Sequence, residues 1–229
     1  MTIDVKIAQT AKELQDAYKL RYQVYVREEG YFKAEHSDLI VDQFDAIPHA
    51  GIVVAYQEGE AIGTMRANID SEIKLPADSI FDYSAYRAAV SEQYHGKVKF
   101  GGAGMLAIAK EWRHRRDVFK ALIRVCCAFG VMHHATHILA GVNKKQLAIY
   151  QKLGYQVLAE AVWVAQIGEY VVPVAIELAK LNAWAFGSVM PDRVGLSKML
   201  AGVCPDAVTP DSKFVAVPQA NEESFLSQV

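Results

Sequence analysis

Cysteine is scarce in this chain of 229 residues: there are three, two of them adjacent as Cys126-Cys127 inside a helical apolar pattern. Three thiols so placed give neither a disulfide framework nor a paired metal-ligand spacing, and they read as reduced core residues of an intracellular protein. Long hydrophobic runs are missing too. The richest stretch, Leu158 to Leu178, is cut by Glu160, Gln166, Gly168 and Glu169, so nothing offers the roughly 18 to 20 uninterrupted apolar residues that span a bilayer. Nor is there a basic excess. The 24 Lys and Arg stand against 26 Asp and Glu, a net charge of -2, which argues against a general nucleic-acid binder. The start, Met-Thr-Ile-Asp-Val-Lys, has no basic stretch leading into an apolar run, so no secretory signal is expected. These absences point to a cytoplasmic protein whose contact with membranes, if any, is peripheral.

What is present is a large apolar fraction, 52% hydrophobic with 22% charged, enough for one full core and an appendage. The patterning predicts a strand over Asp4 to Ala8, then Thr10 and Glu13 at capping-box spacing opening a helix that runs to about Glu28, where Gly30 stops it. Gly51 to Tyr56 and Ala61 to Ile69 flank Glu58-Gly59-Glu60 as a hairpin. Ser71 to Gly96, with Pro76, several tyrosines and a short helix, reads as an insertion on one face. A strand over Val98 to Ile108 contains Gly101-Gly102-Ala103-Gly104. Leu122, Val125, Phe129 and Met132 then mark a helix from Arg116. A buried strand (Leu139 to Val142), a short helix (Gln146 to Leu153, closed by Gly154) and a hairpin (Val157 to Ile167 with Tyr170 to Glu177) follow. The fold class is therefore α/β, a mixed sheet of about seven strands with helices on both faces. Residues 1–180 form the domain, and 181–229, with Pro191, Pro205, Pro210 and Pro218, a partly ordered extension.

One residue is out of place in the first helix. Leu14, Ala17, Arg21 and Val24 are spaced three, four and three apart, which sets a guanidinium on the apolar side. A buried arginine needs a carboxylate, and Asp42 and Asp45, flanking Phe44, are the candidates downstream. The strand ending Gly63-Thr-Met-Arg66 brings a second arginine. Two readings stand side by side: a structural ion pair pinning a loop, or part of a binding site.

The element order, together with Asn143-Lys-Lys-Gln-Leu-Ala-Ile-Tyr150-Gln-Lys-Leu-Gly154-Tyr155, resembles the GNAT acyltransferase superfamily. The front half, with Arg21, Asp42-Gln-Phe-Asp45 and Arg66 in order, is similar to the LuxI-type acyl-homoserine-lactone synthases and more so to the FeeM-type N-acyl amino acid synthases. The resemblance implies a GNAT-type three-layer fold and transfer of a long acyl chain from an acyl carrier protein thioester to the α-amine of an amino acid. It implies no tightly bound cofactor; the acyl-phosphopantetheine thioester is a co-substrate. The alternatives are an N-acetyltransferase using acetyl-CoA and a lactone-forming autoinducer synthase.

Two departures bear on those expectations. Arg113-His-Arg115-Arg116-Asp-Val118 stands where CoA-using relatives carry two glycines under the pyrophosphate. Arginines there suit the single phosphate of a carrier-borne arm, which favours carrier protein over CoA. Gly101 to Gly104 stand where LuxI-type enzymes carry a glutamate and an arginine, so lactone formation is not expected. Gly102 and Gly104 either clear room for a substrate or mark a bulge. The resemblance also assigns thioester-oxygen donors to backbone amides around Leu106 and Ala107, and the leaving-thiol acid to Tyr150, unless its ring merely packs. The base is Asp45, a water chain or bulk solvent. Arg66 grips the acceptor carboxylate or joins the Arg21 network, while Asn143 bonds pantetheine amides or caps a helix. His133, His134 and His137 fall at a helix end and predict no metal site. Trp112 and Trp163 are expected to pack.

Overall fold

A computed structural model describes residues 3–32 and 37–202. Its strands are β1 (Asp4–Ile7), β2 (Ala50–Gln57), β3 (Glu60–Ile69), β4 (Phe100–Ile108), β5 (His137–Asn143), β6 (Gln156–Val157), β7 (Val162–Val164) and β8 (Glu169–Glu177). They form one sheet in the order β1-β2-β3-β4-β5-β8-β6, with β7 also on β8. Every pairing is antiparallel except β4 with β5. The α-helices are α1 (Ala11–Tyr22), α2 (Ser84–Gln93), α3 (Arg116–Met132), α4 (Leu147–Lys152), α5 (Leu178–Phe186) and α6 (Arg193–Leu200).

The capping box forms as expected: Glu13 N–H donates to Thr10 Oγ1 and Thr10 N–H to the Glu13 carboxylate. The helical run does reach Glu28, but Gln23–Glu28 is wound as a π-helix. Glu29 N–H closes it on Val24 O at 3.0 Å, and Gly30 at φ +68° ends it.

The sheet has eight strands rather than seven because the 157–167 arm is interrupted. Leu158 N–H donates to Pro173 O (3.0 Å), so Pro173 turns both its carbonyl and its nitrogen toward this arm. Proline has no N–H to return the bond. The arm steps away there, and β7 resumes on β8 in a shifted register.

Packing divides the faces. On the first, Ala17 and Tyr18 of α1 lie on Ile52, Val54 and Tyr56, while Leu20 and Val24 lie on Ala107 and Ala109. Further along the same face, Leu75, Phe81, Tyr83 and Val90 of the 71–96 segment cover Leu139, Val171 and Ala175. The second face carries α3, α5 and the largest core cluster, with Tyr150 of α4 packed against it. Leu178, Leu181 and Ala185 of α5 belong to that cluster, and α6 rests on α3 and β1. Pro205, Pro210 and Pro218 lie outside the described residues. Among the described residues no helix is long and apolar enough to cross a membrane.

The parallel pair β4–β5 is short. Phe100, Gly101 and Gly102 pair with His137, Ile138 and Leu139, and beyond that point the strands diverge. A slot therefore opens between Leu106–Ile108 and Val142–Asn143.

Candidate active site

Arg21 is fully buried, and its Nη1 donates to Asp45 Oδ1 (2.8 Å) and Oδ2 (2.9 Å). Arg66, 2% exposed, points from β3 to the same carboxylate at 3.0 Å and donates through Nη1 to Asp42 Oδ1. The loop is tied by its own backbone as well. Asp42 N–H donates to Asp45 Oδ2 (2.9 Å), Phe44 N–H to Asp42 Oδ1 (2.8 Å), and Asn68 Nδ2 to Phe44 O (3.0 Å). Burial works against the charge on Arg66, but Asp45 and Asp42 outweigh it and raise its pKa, so it stays cationic. The four ions sum to zero. Each of the two buried cations thus faces a carboxylate, as buried charges require, although Arg21 Nε and Nη2 and Arg66 Nε have no hydrogen-bond partner among the described residues.

The members differ in exposure. The Asp45 side chain is 1% exposed and that of Asp42 is 32%. Asp42 and Arg66 line a cavity of about 500 Å³ on the first face of the sheet, between α1 and the 71–96 segment. Gly102, Gly104, Met105, Gly141 and Asn143 form its floor, and Phe32, Phe44, Ile80, Ile167 and Val171 supply apolar wall. The sequence-derived substrate residues Asp42, Arg66, Gly102 and Gly104 thus meet at one place. Arg21 stands behind them and holds Asp45.

Beside the cavity β4 is bulged. The register with β3 slips between Thr64↔Ala107 and Arg66↔Gly104, and Met105 takes φ +51°. Ala109 N–H donates to Ile62 O (3.0 Å), which makes Ile62–Ala109 a hydrogen-bonded pair, and Thr64–Ala107, two residues on, another. The Ala107 amide therefore faces β3, and its side chain packs under Leu20 and Val24. The Leu106 and Ile108 amides alternate to the other side, into the slot left by β5. Of the two expected amide donors, Leu106 is on the slot side of β4 and Ala107 on the side of β3.

Tyr150 sits on the second face, its ring 5.4 Å from that of Tyr155. Burial, and then Cys126, push its hydroxyl up to about 12. It does not line the cavity with Arg66; the slot between β4 and β5 separates the two. Asn143 caps, as one of its two expected readings had it: Oδ1 accepts from Lys145 N–H (2.9 Å), while the residue also lines the cavity and its Nδ2 lies 3.5 Å from the Tyr31 hydroxyl.

The three arginines around the start of α3 are not gathered into one phosphate site. Arg113 is ion-paired with Glu28 and with Glu29 (2.8 Å), and its Nε donates to Ile108 O (3.0 Å). Arg115 is paired with Asp117 (2.6 Å). Arg116, exposed at the first turn of α3, has no ion-pair partner among the described residues. The histidines also part company: His133 packs on Phe129 and His49, and His137 on Tyr94. Trp112 is packed, but Trp163 is 54% exposed on β7.

Sequence reasoning missed a strap of aromatic residues. The Tyr25 hydroxyl donates to Leu106 O at 2.8 Å, Tyr31 N–H donates to Tyr25 O at 2.7 Å, and Tyr31 reaches Asn143. The segment after α1 so touches both lips of the slot. The cluster of Tyr22, Tyr25, Tyr31 and Phe32 was visible in the sequence, but no spacing tied it to β4 or β5. Gly141 was missed as well, lying on the cavity floor within an otherwise apolar strand.

Comparison with known proteins agrees with this fold. The structure of FeeM, an N-acyl amino acid synthase from uncultured soil microbes, superposes with a TM-score of 0.62 at 16% identity, covering 80% of this chain and 93% of that one. The acyl-homoserine-lactone synthase LasI gives 0.59 at 18% identity, covering 83% and 96%. BjaI, a CoA-dependent acyl-homoserine lactone synthase solved with SAM and isopentyl-CoA, gives 0.62 at 12%, covering 86% and 99%. No curated protein sequence matches. The family profile described as N-acyl amino acid synthase FeeM matches residues 16–177; the chain belongs to that family and is an N-acyltransferase, acting by acyl transfer to an amine.

Proposed function

We propose that the chain transfers an acyl group from the phosphopantetheine thioester of an acyl carrier protein to the α-amine of a free amino acid. The observation that carries this reading is the placement of Asp42 and Arg66 side by side on the cavity wall. An electroneutral cluster that presents one anion and one cation suits a zwitterion, whose ammonium faces Asp42 and whose carboxylate faces Arg66. A simple amine would use half of it.

The ammonium first gives up a proton to solvent, and the free amine nitrogen then attacks the thioester carbonyl carbon across the slot. A C–N bond forms and the C–S bond breaks. Charge developing on the carbonyl oxygen meets the Leu106 and Ile108 amides, whose direction is fixed by the bulge. The departing sulfur takes a proton from Tyr150, which remains protonated well above neutrality, and the proton that the nitrogen sheds as the amide forms restores the phenol through solvent. Asp45 spends both oxygens on Arg21, Arg66 and the Asp42 amide, so it positions the cluster and the amine proton leaves through solvent. With Gly102 and Gly104 on the floor in place of ionic side chains, the product is the amide and not a lactone.

The start of α3 bears on the donor. Asp117 in its first turn, with Arg115 folded onto it, puts a carboxylate where a pyrophosphate would need open amides. That favours a carrier protein, with Arg116 available for its single phosphate. The test is turnover of one acyl chain presented on holo-carrier protein and on CoA, with free amino acids as acceptors and mass-spectrometric detection of N-acyl amino acids. Higher kcat/KM with the carrier protein is expected. Preference for CoA overturns the donor, and turnover of amines lacking a carboxylate at equal efficiency overturns the acceptor.

A further inference from the structure

We infer that Gly104 is the position that sets how large an acceptor can approach the β4 bulge. The inference deepens the acceptor assignment above and rests on it. The glycines of β4 are not equivalent. A Cβ on Gly101 would meet Ile138 Cδ1 at 3.1 Å and the Asn68 carbonyl oxygen at 3.2 Å, so that residue is glycine for packing against the second face. A Cβ on Gly102 would press Leu75 Cδ2 at 3.3 Å. A Cβ on Gly104 would meet nothing within 4 Å. Packing does not call for a glycine there, and neither does the backbone, since Gly104 is absent from the glycines with positive φ.

Its position explains the missing side chain. Gly104 is the cross-strand partner of Arg66 and the residue before Met105, where the bulge begins. It lies on the cavity floor between the ion pair that would hold the acceptor and the amide of Leu106 toward which the acceptor amine must move. Directly opposed residues of an antiparallel pair have Cβ atoms about 4.5–5.5 Å apart, so each added carbon at 104 intrudes on whatever Arg66 and Asp42 hold. One methylene in a closed apolar site is worth on the order of 10- to 200-fold in discrimination.

The experiment compares Gly104→Ala and Gly104→Val with the unaltered protein over glycine, alanine, leucine and phenylalanine as acceptors, with one acyl-carrier donor. The ratio of kcat/KM for phenylalanine to that for glycine should fall at least tenfold in Gly104→Val and by less in Gly104→Ala, with no loss of melting temperature in Gly104→Ala. A uniform drop across all four acceptors overturns the inference. So does a changed preference for acyl-chain length at constant acceptor preference, which would put Gly104 on the donor side. Calorimetric titration with the same amino acids needs no donor. If the unaltered protein binds phenylalanine and Gly104→Val does not, while no acyl transfer occurs, the Gly104 inference stands and the donor assignment falls. If none of the four amino acids binds the unaltered protein, both fall.

Discussion

Asp45 contacts two arginines at once, and neither has water to fall back on. Removing it strands Arg21 at zero exposure and takes one of two anions from Arg66. Breaking a buried pair in this way costs about 3–5 kcal/mol. Asp45→Ala is therefore expected to lose most of its stability in urea titration, whereas Asp42→Asn, whose side chain is one-third solvent-exposed, should lose much less and instead raise the KM for the acceptor. Equal destabilisation by both would contradict the division of labour between them. Arg21 was legible in the sequence because helical phase alone buries it. Which aspartate it takes was not, because Asp42 and Asp45 are equally near in the chain and the loop's own hydrogen bonds decide the matter.

Beyond the apolar packing of Leu20 and Val24 on β4, a phenol ties the π-helical turn to that strand. Tyr25 projects from the π-helical turn, and its hydroxyl is the donor to the Leu106 carbonyl, the peptide next to the bulge. In Tyr25→Phe that carbonyl, in a partly buried setting, loses its donor, at a cost of about 1 kcal/mol. A several-fold fall in kcat with acceptor KM nearly unchanged is expected from steady-state kinetics, since the bulge and not the ion pair is disturbed. A change confined to KM would refute it. The sequence marked where this helix starts and stops, because Thr10, Glu13 and Gly30 are local signals. The change from α to π winding at Gln23 was not legible: it moves each hydrogen bond by one residue without altering which residues favour a helix. The broken hairpin is similar, for Pro173 reads as an ordinary strand residue until the side its nitrogen faces is known.

At the scale of the molecule, several buried phenols share one direction. Burial first, with smaller charge effects, pushes Tyr18 and Tyr150 up to about 12, and it also raises Tyr25, Tyr56, Tyr83 and Tyr155. Each folded value lies above the unfolded value of 10, so the stabilisation is complete below pH 10 and is lost as pH rises through the folded values. Thermal melts should hold steady up to about pH 10 and then fall steeply toward pH 12. Stability unchanged at pH 12 would mean these hydroxyls are reached by water. The layer order, helices on both sides of a mixed sheet, followed from the periodicities of the chain. The divergence of β4 from β5 did not, because strand propensity says where a strand runs and not where its neighbour leaves it.

That divergence has a consequence for the order of events. The cavity holding the ion pair opens on one side of the sheet and Tyr150 lies on the other. If the acceptor binds in that cavity and the donor reaches the slot from the Tyr150 side, as proposed above, neither obstructs the other and both are needed before the bond is made. The proposed function then predicts a sequential mechanism through a ternary complex, with intersecting lines in initial-rate kinetics; parallel lines, the mark of an acylated protein, would contradict it.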